Sequence, residues 1–126
     1  GVSQFATTSF TAAFFAGLYI PSYQFHTEHI GRYPYGREST VSYPQPNFII
    51  ENNTPYGVLM WPTYTDTSIT MTLYSTRYAV GEQTGQTTSP RGSCTDVTTT
   101  RTRTFVDGHT ENDTFHGYYR NAGPTC

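Results

Sequence analysis

The residue with most chemistry in reach is Ser3, a hydroxyl at the mouth of an apolar pattern of helical period that begins almost at once. A serine there can cap the helix by accepting hydrogen bonds from the exposed backbone N–H groups of the first turn, worth about 1 kcal/mol. The same place suits a nucleophile, because the positive end of the helix dipole favours a developing negative charge. A thiolate gains most from that setting, whereas a serine hydroxyl stays protonated and needs a positioned general base. Arg37, directly before Glu38, has the planar fork that holds a carboxylate through two hydrogen bonds. A structural ion pair or a turn contact would use the same side chain. Glu28, Glu38 and Glu51 are potential acid–base groups, but nothing in the sequence sets two of them opposite one another as glycoside hydrolysis requires. The four histidines and two cysteines are too scattered for a metal-ligand spacing, and no phosphate-binding glycine loop is present. Neither a metal nor a cofactor is expected.

The elements that must position these groups follow from periodicity. Ala6, Phe10, Ala13, Phe14 and Gly17 share one helical face, which predicts a helix from about Gln4 to Ala16, with Ser3 as its N-cap and Gly17 at the left-handed position after its end. Beyond Pro21 the pattern turns to strands. Tyr33-Pro34-Tyr35-Gly36 reads as a turn, and Thr40–Tyr43 and Phe48–Glu51 as short strands. The stretches 57–64 and 69–74 form a hairpin through Thr65-Asp66-Thr67, with Pro62 near a sheet edge. The polar stretch Gly81–Gly92 reads as a loop. Val97–Val106 and His109–Tyr118 flank Asp107-Gly108, a strong two-residue hairpin signal. In that register Arg101 and Arg103 lie on the face opposite Glu111 and Asp113, and so on a solvated surface.

Composition sets bounds on class. The 126 residues suffice for one domain with a real core. Thr, Tyr and Phe favour strands, and the expected fold is α+β: one N-terminal helix packed on a mainly antiparallel sheet, with a C-terminal β-hairpin extension. Its parts are a core over residues 1–80 and an extension over residues 81–126. Lysine is absent and the net charge is −2, so no nucleic-acid partner is expected. No apolar run is long enough to span a bilayer. Cys94 and Cys126 are expected to form a disulfide worth about 3–4 kcal/mol, as in an exported protein, with two free thiols the alternative. Asn52-Asn53-Thr54 and Asn112-Asp113-Thr114 are formal glycosylation triplets. Tyr33, Tyr35 and Tyr64 can stack on sugar rings, or simply pack.

Several segments together resemble the VanW-like family of bacterial cell-surface proteins. They are Gly1-Val2-Ser3-Gln4 with Ala6-Thr7-Thr8, Ala16-Gly17-Leu18, His26-Thr27, Gly36-Arg37-Glu38-Ser39-Thr40-Val41, and Phe48-Ile49-Ile50-Glu51-Asn52-Asn53-Thr54-Pro55-Tyr56. Their order and spacing match over approximately residues 1–76, and the tail from Ser89 to Cys126 is similar to an extension on actinobacterial members. The resemblance implies an extracytoplasmic, cell-surface or secreted domain acting on peptidoglycan, in some members as an L,D-transpeptidase with a motif Cys. Here Ser3 stands at that place. The resemblance selects His26 as the general base, with His29 outside the matched pair. Gln4 and the helix amides would then hold an oxyanion, and Arg37 a substrate carboxylate. Three roles are compatible with this: a degenerate site that binds stem peptide or glycan, an active serine acyl-transferase using Ser3 and His26, and a purely structural envelope module. The preceding Gly of the family pattern is absent, so an upstream part of the same chain is a further expected partner.

Overall fold

The structure, a computed structural model, describes residues 2–121, 123, 125 and 126. Helix α1 (Val2–Phe15) is followed by β1 (Tyr19–Ser22), β2 (Ile49–Glu51), β3 (Leu59–Tyr64), β4 (Ile69–Tyr74), β5 (Ala79–Arg91), β6 (Cys94–Phe105) and β7 (Thr110–Arg120). All strand pairs are antiparallel, in sheets β1-β2, β3-β4 and β5-β6-β7. Among the described residues one helix and antiparallel strands make the fold α+β.

The helix starts two residues earlier than the sequence suggests. Ser3 therefore lies inside the first turn instead of capping it, and Gly1, which precedes the helix, is outside the described residues. The other end matches expectation. Gly17 takes φ 73°, Leu18 N–H donates to Ala13 O at 3.1 Å and Gly17 N–H to Phe14 O at 3.4 Å, the paired bonds of a Schellman cap. A side chain on Gly17 would meet Ala79 Cβ at 2.9 Å, so α1 packs closely on the start of β5.

Phe10, Ala13 and Phe14 on one face of α1 are fully buried and form the core with Ile20, Phe25, Val97, Phe115 and Tyr119. Phe115 of β7 stands 5.4 Å from both Phe10 and Phe14. Two predicted elements differ. Thr40–Tyr43 is not a strand, because Thr40 N–H goes to Gln24 O and Ser42 N–H to Pro46 O, contacts of a tethered loop. Of the stretch Gly81–Gly92, residues 81–91 are not a loop but most of β5, which pairs with β6 along its whole length with one irregularity at Gln83/Gly85, and Gly92 begins the turn that follows. Its polarity reads as a loop because an edge strand with a solvated face needs few apolar residues. The C-terminal part is thus a three-stranded sheet. The Cys94–Cys126 disulfide is present, with Cα atoms 5.1 Å apart.

The register of β6 and β7 reverses the expected placement of the arginines. Phe105 N–H donates to His109 O at 2.9 Å and Gly108 N–H to Phe105 O at 2.8 Å, so the loop has three residues, with Gly108 at φ 92°. One residue of slip turns every side chain to the other face, and Arg101 now stands opposite Asp113 and Arg103 opposite Glu111. Arg101 is fully buried. Its Nη1 donates to Phe14 O at 3.0 Å, its Nε to Asp113 Oδ2 at 2.9 Å, and its guanidinium lies 5.3 Å and 5.2 Å from the rings of Phe14 and Phe115. Burial lowers the pKa of Arg101, and the Asp113 carboxylate opposes that shift by charge and hydrogen bond. Arg103 shares the same carboxylate, Nε to Oδ2 at 2.7 Å.

Replacing Arg101 with Met would leave Phe14 O and part of the Asp113 charge uncompensated. The expected loss of stability is about 3–5 kcal/mol, read from urea denaturation. A loss below about 1 kcal/mol would show that the buried cation is dispensable.

Candidate functional site

The residues singled out in the sequence fall into two groups. The first surrounds His26. Its Nδ1 lies 2.9 Å from Glu38 Oε1, and the same oxygen accepts the His26 backbone N–H. Glu38 has no solvent exposure. His26 Nε2 is buried too, without a hydrogen-bond partner. With Nδ1–H held by a carboxylate, the neutral ring places its free lone pair on Nε2, the arrangement of a general base oriented by an acid. The ring of Tyr33 covers this imidazole, centroid to centroid 5.5 Å.

Glu38 is held in place from both sides of the molecule. On the helix side, Thr7 Oγ1 donates to Ser39 O at 3.1 Å, and Ser39 N–H lies 3.3 Å from the same hydroxyl. On the sheet side, the turn before Glu38 is gripped by three side chains. Gln86 Nε2 donates to Tyr35 O at 2.8 Å, Thr99 Oγ1 to Gly36 O at 2.8 Å, and Gly36 N–H donates to the Tyr119 hydroxyl at 3.1 Å. Arg37 N–H closes the turn on Pro34 O, one residue later than the sequence reading places it, with Gly36 at φ 71°. A Cβ on Gly36 would collide with Gln86 Nε2 and Thr99 Oγ1, so the close docking requires glycine. Burial pushes the Tyr119 phenol well above its ordinary range. The Gly36 N–H opposes this, while the charge of Glu38 and a hydrogen bond to it add to the rise.

Ser3 is half-buried. It lies one helical turn before Thr7 on the same face of α1, so the two Cβ atoms are about 5–6 Å apart. Ser3 is thereby next to the residue that anchors Ser39, the neighbour of Glu38. Because His26 Nε2 has no partner, no Ser3–His26 hydrogen bond exists in this structure. Gln4 lines an adjacent cleft of about 510 Å³ with Thr7, Thr8 and Thr11 of α1, Arg32, Tyr33 and Pro34 of the following loop, Thr67 of the β3–β4 turn, and Ile69, Thr70 and Met71 of β4. Tyr33 is the shared wall between this cleft and His26.

The second group lies elsewhere. The Arg37 guanidinium stacks over Phe15 at 5.0 Å and Phe14 at 5.8 Å, near the C-terminal end of α1. About 17 Å of helix separates those residues from Ser3. Arg32, which the sequence reading does not single out, is the arginine at the cleft. His29 contacts Tyr33 O through Nε2 at 3.2 Å and packs against Tyr35 and Tyr119. Glu38 is the residue whose role sequence reasoning misses, since there it is only a neighbour of Arg37 or one of three loose carboxylates. A signal for it exists: the motif containing it carries an acid directly after the arginine.

The family model described as VanW like protein matches residues 1–74. No curated protein and no solved structure matches the chain.

Substituting Glu38 with Gln keeps the shape and removes the charged acceptor. In the native protein, ring ¹⁵N shifts of neutral His26 should report the proton on Nδ1. In E38Q that preference should collapse towards the Nε2-protonated form common in free histidine. Unchanged shifts would mean that Glu38 does not orient the ring.

Proposed function

The chain belongs to the VanW-like family, and we propose that it is an extracytoplasmic domain whose Ser3–His26–Glu38 site is an acyl-transfer centre of L,D-transpeptidase type, weakened by serine at the nucleophile position and serving to bind peptidoglycan stem peptides. The observation that carries this reading is the His26–Glu38 pair with its buried, unpartnered Nε2. A buried base with one free nitrogen is costly as mere structure, since an unsatisfied polar atom costs about 1–3 kcal/mol.

In an active relative the nucleophile at position 3 would attack the carbonyl of the bond before the terminal residue of the stem peptide. Its proton passes through His26 to the departing amine, and the terminal residue leaves. An acceptor amine then attacks the acyl-enzyme, giving its proton to His26 and restoring the nucleophile. Gln4 and the free N–H groups of the first turn are the candidates for holding the oxyanion. Arg32, beside the cleft, fits the substrate carboxylate better than Arg37, which is occupied with Phe14 and Phe15.

A serine at position 3 stays neutral, whereas a cysteine there would be ionised by the helix N-terminus. The half-buried setting of Ser3 without a hydrogen bond to His26 favours binding over turnover in the native chain. The Cys94–Cys126 bridge is compatible with the oxidising side of a membrane. A fully active serine enzyme is the second reading, favoured by the retained acid–base pair.

The variant Ser3→Cys tests it. Incubated with a disaccharide-tetrapeptide and a diamino acceptor, S3C should form a thioester adduct and crosslinked product by mass spectrometry, while the native chain forms neither at the same time point. The introduced thiol should alkylate at a pH below that of an ordinary cysteine, about 8.5. An ionised thiol at that position with no adduct, and no substrate-induced shifts at Gln4 or His26, would reject the assignment.

A further inference from the structure

In the β3–β4 hairpin, β4 turns one face to α1, whereas β3 is exposed on both faces. Met71 is buried against the helix side, and Leu73 packs against the core. The direct pairs Leu59↔Tyr74, Trp61↔Thr72 and Thr63↔Thr70 place the other six side chains together on the outer face. Among them Leu59 is 54% exposed, Trp61 54% and Tyr74 57%. Trp61 and Tyr74 are diagonal neighbours, about 7–8 Å apart at Cα, near enough to form one aromatic platform. Threonine hydroxyls from Thr63 and Thr72 continue it along the hairpin.

We propose that this face binds a β-1,4-linked glycan strand, which would give the domain a grip on the polysaccharide separate from the peptide cleft. The proposal deepens the peptidoglycan reading above and rests on it for the identity of the wall polymer. Charge carries the choice of occupant. Between Gly57 and Thr76 the only ionisable side chain with a charge at neutral pH is Asp66, and it lies in the turn. A neutral surface has no complement to offer an acidic or basic protein, nor an anionic lipid surface. A pyranose chain is neutral. Its C–H faces meet the negative faces of aromatic rings, and its hydroxyls exchange hydrogen bonds with threonines. Pro62 removes a backbone donor within β3, which disfavours addition of another strand from a second copy.

Trp61 is the sole tryptophan, so its emission reports on this face directly. Titration of the intact protein with chitohexaose, which carries no stem peptide, should change Trp61 emission saturably. In affinity electrophoresis on a glycan matrix, Trp61→Ala and Tyr74→Ala should each weaken retention at least tenfold, with far-UV circular dichroism unchanged. Trp61→Phe keeps a ring and should retain part of the binding, which guards against misreading a folding defect. Unmoved emission at millimolar sugar, or full retention by W61A, overturns the proposal. An emission shift caused by phosphatidylglycerol vesicles instead of sugar assigns the face to lipid and overturns it too. So does a concentration-dependent dimer that W61A abolishes. If sugar fails while stem peptide still shifts Gln4 and His26, this inference falls alone. If both fail, the peptidoglycan reading falls with it.

Discussion

The guanidinium of Arg101 is the tie on which the rest of the molecule depends. It occupies the point where the C-terminal end of α1 meets β6 and β7, donating to Phe14 O and to Asp113 between the rings of Phe14 and Phe115. A helix C-terminus presents unsatisfied carbonyls and the negative end of a dipole, so a cation there is favoured twice over. The cost of burying it is offset only because Asp113 faces it across the ladder in this register. Removing any one partner leaves another group stranded away from water.

The same sheet reaches the proposed chemistry by a second route. Gln86, Thr99 and Tyr119 hold the turn that carries Glu38, and Glu38 holds His26. All three supporting side chains lie beyond residue 74, outside the stretch that matches the family. In the proposed site the motif residues would supply the reactive groups, while the later strands hold the turn that carries Glu38. Preorganisation of this kind separates an acid–base pair from two polar residues that happen to be close.

What can be read from the sequence follows local physics. The helix of α1, its glycine terminus and the β3–β4 hairpin each have a pattern confined to neighbouring residues, and each is recognisable to within a residue or two. The failures involve long-range partners. Asp107-Gly108 marks the hairpin, but composition does not decide between a loop of two residues and one of three, and that single residue determines whether Arg101 meets solvent or Asp113. Strand β5 is hidden because its polar sequence pairs only with β6. At the site, Ser3, Gln4 and His26 are visible through the motif. The role of Glu38 is not, since a carboxylate twelve residues from its histidine becomes a partner only when the turn at Gly36 is docked.

The bond from Arg101 to Phe14 joins residues separated by 87 positions. Closing a flexible loop of that length costs about 4 kcal/mol in chain entropy before any contact is gained. The helix forms first along the chain, yet its terminal carbonyl finds its buried partner only after β6 and β7 exist. Folding is accordingly governed by non-local pairing, and the helix stays without its buried cation until the last strands are in place.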